Sequence, residues 1–148
     1  MRTTASDVAL HRRHLNEVSA STVGEFIAAI VDSSTNKILL AAGTYELISS
    51  GHIAGSWGMC GIYGGASWVC ITRALTIEAE VPGAVVLKVK ASMGWGRVIE
   101  IQSGGTGLNV ELIGLNITGG SGSWVQSVCL LNLPWHSSIT LRLLFNGD

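Results

Sequence analysis

Charged residues are scarce in this sequence of 148 residues: Asp, Glu, Lys and Arg together make up 13%, and the formal net charge is −1. Soluble domains usually carry about twice that share of charge. Without an excess of one sign, the chain has no electrostatic footprint for nucleic acid, and no such partner is expected. Hydrophobic residues make up 47%, which argues against a disordered chain.

Long hydrophobic runs are also missing, because Gly, Ser, Asn or a charged residue interrupts every apolar stretch. No run reaches the roughly 18 apolar residues of a membrane span, so no transmembrane helix is expected. The sequence has no P-loop, no dinucleotide fingerprint and no Cys/His cluster, and His11 and His14 have no further ligands nearby. No cofactor and no metal ion are therefore expected.

Glycine is abundant instead, with 19 residues, and short segments of alternating apolar and polar residues lie between the glycine-rich turns. Such segments are typical of half-buried strands. The clearest are Leu75–Glu80, Val98–Gln102 and Val110–Thr118. In these strands we expect the side chains that point inward to be Leu75, Ile77, Ile99, Ile101, Leu112, Leu115 and Ile117.

The strands suggest a repeat, because Ile77, Ile99 and Ile117 occupy similar positions and are separated by 22 and 18 residues. An irregular period of roughly 20 residues is expected when each turn of a solenoid carries loops of variable length. The pattern therefore predicts a β-solenoid in which these three isoleucines lie above one another.

A helix is predicted over residues 22–32, where Thr22 and Glu25 form a capping box and Val23, Phe26, Ile27 and Ile30 form one apolar stripe. Such a helix could cover the open first turn of a solenoid, whose strand edges would otherwise be exposed. Residues 1–20 are expected to form an N-terminal extension with a weak helix over residues 5–20. Residues 21–148 are expected to form a single domain.

The order of these features carries a resemblance to a known family. A capping helix, a strand ending in Ala42-Gly-Thr-Tyr45, the Leu75–Glu80 strand and the Val110–Gly120 segment follow one another. The chain resembles the N-terminal part of a right-handed parallel β-helix of the pectin-lyase-like superfamily. Within it, the chain is similar to non-catalytic repeat proteins of the polymorphic outer membrane protein type. The resemblance implies an all-β solenoid of about three to four coils, with coils over residues 71–120 and a weakly patterned last coil over 121–148.

The glycine-rich segment over residues 48–70 departs from the compact pattern and is expected to be an irregular loop. It carries Trp57, Tyr63 and Trp68, whose flat apolar rings could stack on sugars or fold back over the loop itself. The resemblance implies a disulfide between Cys60 and Cys70, with two buried thiols as the alternative. A disulfide would indicate an oxidising compartment, extracellular or at the cell surface.

Three further candidate ligand-binding residues are expected to point outward from the strands: Glu78, Glu100 and Asn116. Glu78 and Glu100 are predicted to occupy the same phase on adjacent strands. Two carboxylates at that spacing repel each other, so they must stay exposed, share a proton or bind a cation.

Three functions remain open on the sequence. A non-catalytic surface or secreted module could present loops and an outward β-face to a polysaccharide or a surface protein. A polysaccharide lyase or hydrolase would use Glu78, Glu100 and Arg97 or Arg73, although no aspartate lies between Asp32 and Asp148. A structural solenoid fragment could self-associate through its C-terminal edge, for which no capping helix is predicted.

Overall fold

A computed structural model describes residues 16–47, 52–54, 66–89, 96–102, 108–118, 128–131 and 137–142. These ranges are mostly strands, with one short helix, α1 (Val23–Val31). In chain order, the strands are β1 (Glu17–Ala20), β2 (Lys37–Leu40), β3 (Gly43–Leu47), β4 (His52–Ala54), β5 (Ala66–Ile71), β6 (Leu75–Ala79), β7 (Val85–Val89), β8 (Gly96–Gln102), β9 (Asn109–Ile113), β10 (Leu115–Thr118), β11 (Val128–Leu131) and β12 (Ser138–Arg142).

The strands form three sheets in which every pairing is parallel. The five-stranded sheet has the order β1-β2-β6-β9-β12, the three-stranded sheet β10-β7-β3, and the four-stranded sheet β11-β8-β5-β4. From β2 onward, the chain passes from the five-stranded to the three-stranded to the four-stranded sheet and back to the five-stranded sheet. It repeats this order to β12.

One hydrophobic core is shared by the three sheets and the helix. The side chains predicted to point inward are all buried in it, namely Leu75, Ile77, Ile99, Ile101, Leu112, Leu115 and Ile117. Because neighbouring strands are parallel, inward-facing residues of like position lie about 4.8 Å apart in the hydrogen-bonding direction. The prediction of buried, alternating strands is thus confirmed.

The predicted stacking of the three isoleucines is wrong. Ile77 lies in β6, Ile99 in β8 and Ile117 in β10, which belong to three different sheets. The true neighbour of Ile77 along the sheet is Ile38 on one side and Leu112 on the other, 39 and 35 residues away in the chain. The period of roughly 20 residues was mistaken because the three isoleucines lie in strands of three different sheets and not in neighbouring strands of one sheet.

The segment from Val110 to Thr118, predicted to be one strand, turns a corner at Gly114. Gly114 has a φ of 71° and separates β9 of the five-stranded sheet from β10 of the three-stranded sheet. A Cβ at this position would lie 3.1 Å from the Cα of Pro82, so a side chain would be both strained and crowded. The alternation shifts by one residue at this corner, since the buried residues are Val110 and Leu112 before Gly114 and Leu115 and Ile117 after it.

Residues 81–84 form a tight turn. The Ala84 N–H donates to the Val81 carbonyl oxygen, and Gly83 has a φ of 83° after Pro82. Proline followed by a residue with positive φ is the signature of a type II turn. This turn carries the chain from β6 to β7, hence from one sheet to the next.

Two predicted non-strand segments contain strands. Glu17–Ala20, expected at the end of a weak helix, is β1 and pairs with β2 through the register Glu17 with Lys37. The expected irregular loop over residues 48–70 includes β4 and most of β5, which pair with each other. In both segments, pairing with a neighbouring strand overrides a weak local preference.

The predicted helix is confirmed with its capping box. The Glu25 N–H donates to the Thr22 Oγ1 at 3.2 Å, and the Thr22 N–H donates to the Glu25 carboxylate at 3.2 Å. The helix contacts β1, β2, β3 and β4. Phe26 is fully buried and meets Tyr45 edge to face, with 6.0 Å between ring centroids. The helix therefore packs against the first described strand of each of the three sheets.

Candidate functional site

The structure does not bring the predicted ligand-binding residues together. Glu78 lies in β6, Glu100 in β8 and Asn116 in β10, one in each sheet. Trp57, Tyr63 and Cys60 lie outside the described residues, as does the side chain of Trp68. A single site built from Glu78, Glu100 and Asn116 is therefore not formed.

The prediction that Glu100 points into solvent is wrong, since its exposure is only 1%. Its register partners on the neighbouring strands are Cys70 and Cys129, and Cys70 is likewise 1% exposed. By alternation, Cys70 and Glu100 lie on the face opposite the core residues Val69 and Ile99. The four-stranded sheet is thus covered on both faces at this row.

Asn116 is also buried rather than exposed, with 4% exposure. It lies between buried Leu115 and Ile117 in β10 and pairs in register with Val86 of β7. The alternation correctly identified the face of the sheet on which Asn116 lies. It could not show that packing covers this face as well.

The positions of Cys70 and Cys129 on the four-stranded sheet bear on the predicted disulfide. Cys70 and Cys129 are separated by the strand that carries Glu100, which places them two strand spacings, about 9.6 Å, apart. A disulfide requires Cα atoms closer than about 7 Å, so Cys70 and Cys129 cannot bridge in this fold. The predicted partner, Cys60, lies outside the described residues, and the Cys60–Cys70 bridge stays a prediction.

Arg73, named above as a candidate basic residue for catalysis, is bound to the end of the helix. Its guanidinium donates to the carbonyl oxygens of Ile30 at 3.0 Å and Asp32 at 2.9 Å, and also to that of Thr35. These contacts satisfy carbonyls that the end of α1 leaves without an intrahelical donor. Burial lowers the pKa of Arg73 below its usual range. Arg73 therefore fastens the helix to the segment between β5 and β6.

Among the described residues, polar and charged side chains cluster on the outward side of the five-stranded sheet. We call it the outer face, and it comprises the half-buried or exposed residues Glu17, Ser19, Lys37, Leu39, Thr76, Glu78, Glu111, Ile113, Thr140 and Arg142. The local reason is the alternation within each strand, which places Ile38, Ile77 and Leu112 in the core and their neighbours outward.

The register arranges the outer face in two straight rows across the strands. One row runs Glu17, Lys37, Thr76, Glu111, Thr140, and the other Ser19, Leu39, Glu78, Ile113, Arg142. With strands about 4.8 Å apart, each row is about 19 Å long. The outer face thus combines hydroxyl, carboxylate and cationic groups with two aliphatic side chains across five neighbouring strands.

The charges at the β1 end of the outer face are paired. The Lys37 Nζ lies 3.1 Å from the Glu78 carboxylate and 3.4 Å from that of Glu17. Its hydrogen bond with Glu78 raises the pKa of Lys37 above its usual range. Towards β12, Glu111 lies in register between Thr76 and Thr140, which can bond sugar-type hydroxyls.

The acid pair required by the lyase or hydrolase interpretation is not assembled. Glu78 is on the outer face, whereas Glu100 is buried in another sheet, so the two carboxylates do not flank a common substrate position. Arg73 is engaged at the helix, and the side chain of Arg97 lies outside the described part.

Most residues of the outer face were not among the predicted site residues, in particular Lys37, Glu111, Thr140 and Arg142. The signal was present in the alternation of β2, β9 and β12, but nothing local showed that these strands share one sheet. These strands become neighbours only through pairing between residues that are distant in sequence, such as Thr76 and Glu111.

Within the described ranges, no group of three His, Cys, Asp or Glu residues is placed to hold a metal ion. No helix in those ranges combines the length and apolar composition needed to cross a membrane. The class that the fold defines is an all-β protein of three parallel sheets with one short helix. Compared with family models, curated proteins and solved structures, the chain matches none.

Proposed function

We propose that this chain is a non-catalytic, surface-exposed or secreted module that binds a polysaccharide through its outer face. The scaffold we propose is a right-handed parallel β-helix of the pectin-lyase-like kind. The cyclic order in which the chain visits the three sheets supports this arrangement, because successive coils of such a helix revisit each sheet in turn.

The observation that carries the proposal is the composition and regularity of the outer face. Thr76, Glu111 and Thr140 form a continuous polar row, able to donate to and accept from the hydroxyl groups of a sugar chain. Beside it, Ile113 and Leu39 offer aliphatic surface to the apolar side of a sugar ring. A linear ligand lying across the strands would meet equivalent groups at each step.

A polysaccharide fits this face better than a protein does. Stable protein interfaces bury a core enriched in aromatic residues and depleted of charge, whereas the outer face has a charged group on each of its five strands and no aromatic side chain among the residues that define it. The aromatic residues Trp57, Tyr63 and Trp68 would extend the binding surface if their segment reaches the ligand.

Binding should be tested on an array of plant and microbial polysaccharides that includes homogalacturonan, followed by calorimetric titration of whichever polymer is retained. Thr76→Val and Glu111→Gln should each weaken binding about tenfold, which is the loss expected for one hydrogen bond to a charged or well-placed group. The matched controls are Thr118→Val and Glu46→Gln, at exposed and half-buried positions in the three-stranded sheet, off the outer face. We expect them to bind like the wild type.

Two results would contradict the proposal. Equal binding by the outer-face and control variants would move the site elsewhere, and loss of binding only in Trp57→Ala or Trp68→Ala would assign it to the aromatic segment. Calcium-dependent release of unsaturated products from pectin-type polymers, read as ultraviolet absorbance, would instead favour a polysaccharide lyase.

A further inference from the structure

The two ends of the stack of strands are different. At the end where the sheets begin, α1 contacts the first strands of all three sheets. At the other end, β12 is the last described strand of the five-stranded sheet and pairs only with β9 among the described strands. A strand at a sheet edge presents unpaired backbone groups that can pair with another strand.

The inward side chains of β12 show that this edge is open. Leu141 continues the inward row of Ile77 and Leu112, yet it is 40% exposed while those two are fully buried. Ile139 continues the neighbouring row after Val110 and is only partly buried against the core. The hydrophobic core therefore reaches solvent at β12.

The backbone of β12 shows which groups face outward at the edge. The Ser138 N–H donates to the Leu108 carbonyl oxygen, and the Arg142 carbonyl oxygen accepts from the Gly114 N–H. Residues 138 and 142 thus turn their backbone groups toward β9. Because backbone groups alternate in direction along a strand, those of Ile139 and Leu141 point to the open edge.

We propose that two copies of this chain pair antiparallel through β12, about a two-fold axis at Thr140, and form a closed dimer. In that register, Ile139 of one copy lies opposite Leu141 of the other, and both residues use the N–H and carbonyl groups that no described strand of their own chain pairs with. Their side chains point to the same face, so the two open cores join. On the outer face, Arg142 lies opposite Ser138, and no like charges meet.

The position of the helix favours this arrangement over an open filament. Head-to-tail stacking would bring β12 of one copy to the end of the next copy that carries α1, which Arg73 fastens in place. An antiparallel pairing uses the same edge on both copies and is complete with two chains. This inference does not rest on polysaccharide binding, because the pairing uses the backbone edge of β12 and the inward side chains Ile139 and Leu141, whereas the outer face consists of outward side chains.

Sedimentation velocity over a wide concentration range should show a monomer converting to one species of twice the 15.5 kDa chain mass. Leu141→Pro should abolish the dimer, because it removes an edge N–H without touching the ladder to β9. Leu141→Glu should do the same by placing a charge in the joined core. The matched control is Val81→Glu, which alters a 55% exposed valine in the turn before β7 and should still dimerise.

A cross-link tests the register independently of the affinity. Residues at the two-fold axis form a non-hydrogen-bonded pair with Cα atoms about 4.5 Å apart, within the range of a disulfide. Thr140→Cys should therefore give a covalent dimer on mild oxidation beyond any seen in the wild type, whereas Ser19→Cys, at the opposite edge of the same sheet, should not. A monomer at every concentration, a ladder of larger oligomers, or equal cross-linking of both variants would overturn the proposal.

Discussion

The helix-covered end of the molecule and the outer face of the five-stranded sheet are stabilised in different ways. At the helix, Phe26 is fully buried, and the Tyr45 hydroxyl lies within hydrogen-bonding distance of two carbonyl oxygens, those of Ala20 at 2.9 Å and Ala41 at 2.8 Å. On the outer face, the polar side chains are half-exposed, and the Lys37 ion pairs are in contact with water.

The difference matters because buried contacts and exposed ion pairs contribute very unequal free energies. Changes at the helix should therefore alter stability, whereas changes on the outer face should leave the fold nearly intact. A surface that tolerates substitution without loss of stability is free to be shaped for binding. Four predictions test this contrast, in order of decreasing effect.

The largest effect is expected for Phe26→Ala, which removes the aromatic ring that joins α1 to Tyr45. The loss of buried area and the resulting cavity should lower the free energy of unfolding by about 3–5 kcal/mol, measured by urea denaturation. Ile27→Ala on the same helix is the control, and its half-buried side chain should cost clearly less. Equal losses would mean that the helix is not anchored through Phe26.

Arg73→Met should cost about 1–3 kcal/mol, because it leaves the carbonyl groups of Ile30 and Asp32 without their donor. Arg73→Lys keeps the charge but has no planar fork to reach both carbonyls, so it should recover only part of the loss. Hydrogen exchange should show the extra opening concentrated in α1. An Arg73→Met variant as stable as the wild type would show that Arg73 does not anchor the helix.

The capping box should make stability depend on pH in the acid range. Hydrogen bonds from Ser21 and then from Thr22 lower the pKa of Glu25 below its usual range. As the pH falls, the unfolded chain therefore binds a proton at Glu25 before the folded chain does. The contribution of Glu25 to the free energy of unfolding is thus present above about pH 4.3 and is lost as the pH falls through the lower pKa of the folded chain.

Glu25→Gln should reduce that acid-side loss of stability, and Thr22→Ala should cost about 1 kcal/mol at neutral pH. Thermal melts between neutral and acid pH measure both effects. Glu80→Gln, at an exposed position outside the helix, is the control. Identical pH profiles for wild type and Glu25→Gln would contradict the assignment.

The smallest effect on stability is expected for Lys37→Met on the outer face. Since about a third of its side chain is exposed, the loss should be about 0–1 kcal/mol and should shrink further at high salt. The same variant should change polysaccharide binding if Lys37 lies along the bound polymer. A loss comparable to that of Arg73→Met would abolish the contrast between the two regions.

Local patterns predicted the local elements well. The helix was placed to within a residue at each end because Thr22 and Glu25 are close in sequence and satisfy each other. The strands around Ile77 and Ile99 follow from alternation, and the turn at Pro82 follows from the backbone preferences of proline and glycine.

The candidate site was predicted less well, because it depends on contacts between residues that are distant in sequence. Glu100 and Asn116 alternate with core residues exactly as outward positions should, and both are buried because packing also covers that side. Glu78 was expected beside Glu100 but has Leu39 and Ile113 as its register partners. Alternation cannot specify which strands are neighbours.

The sequence by itself determined that this protein is built from short buried strands and one capped helix, because period, capping and turn chemistry act within a few residues. Only the tertiary structure decided the sheet to which each strand belongs, and therefore that Lys37, Glu111 and Thr140 share one face. It also decided that Glu100 is covered and Leu141 exposed. The physical reason is that strand pairing and burial are set by contacts between chain segments some 30 to 40 residues apart, as in the register of Ile38 with Ile77 and of Leu112 with Leu141.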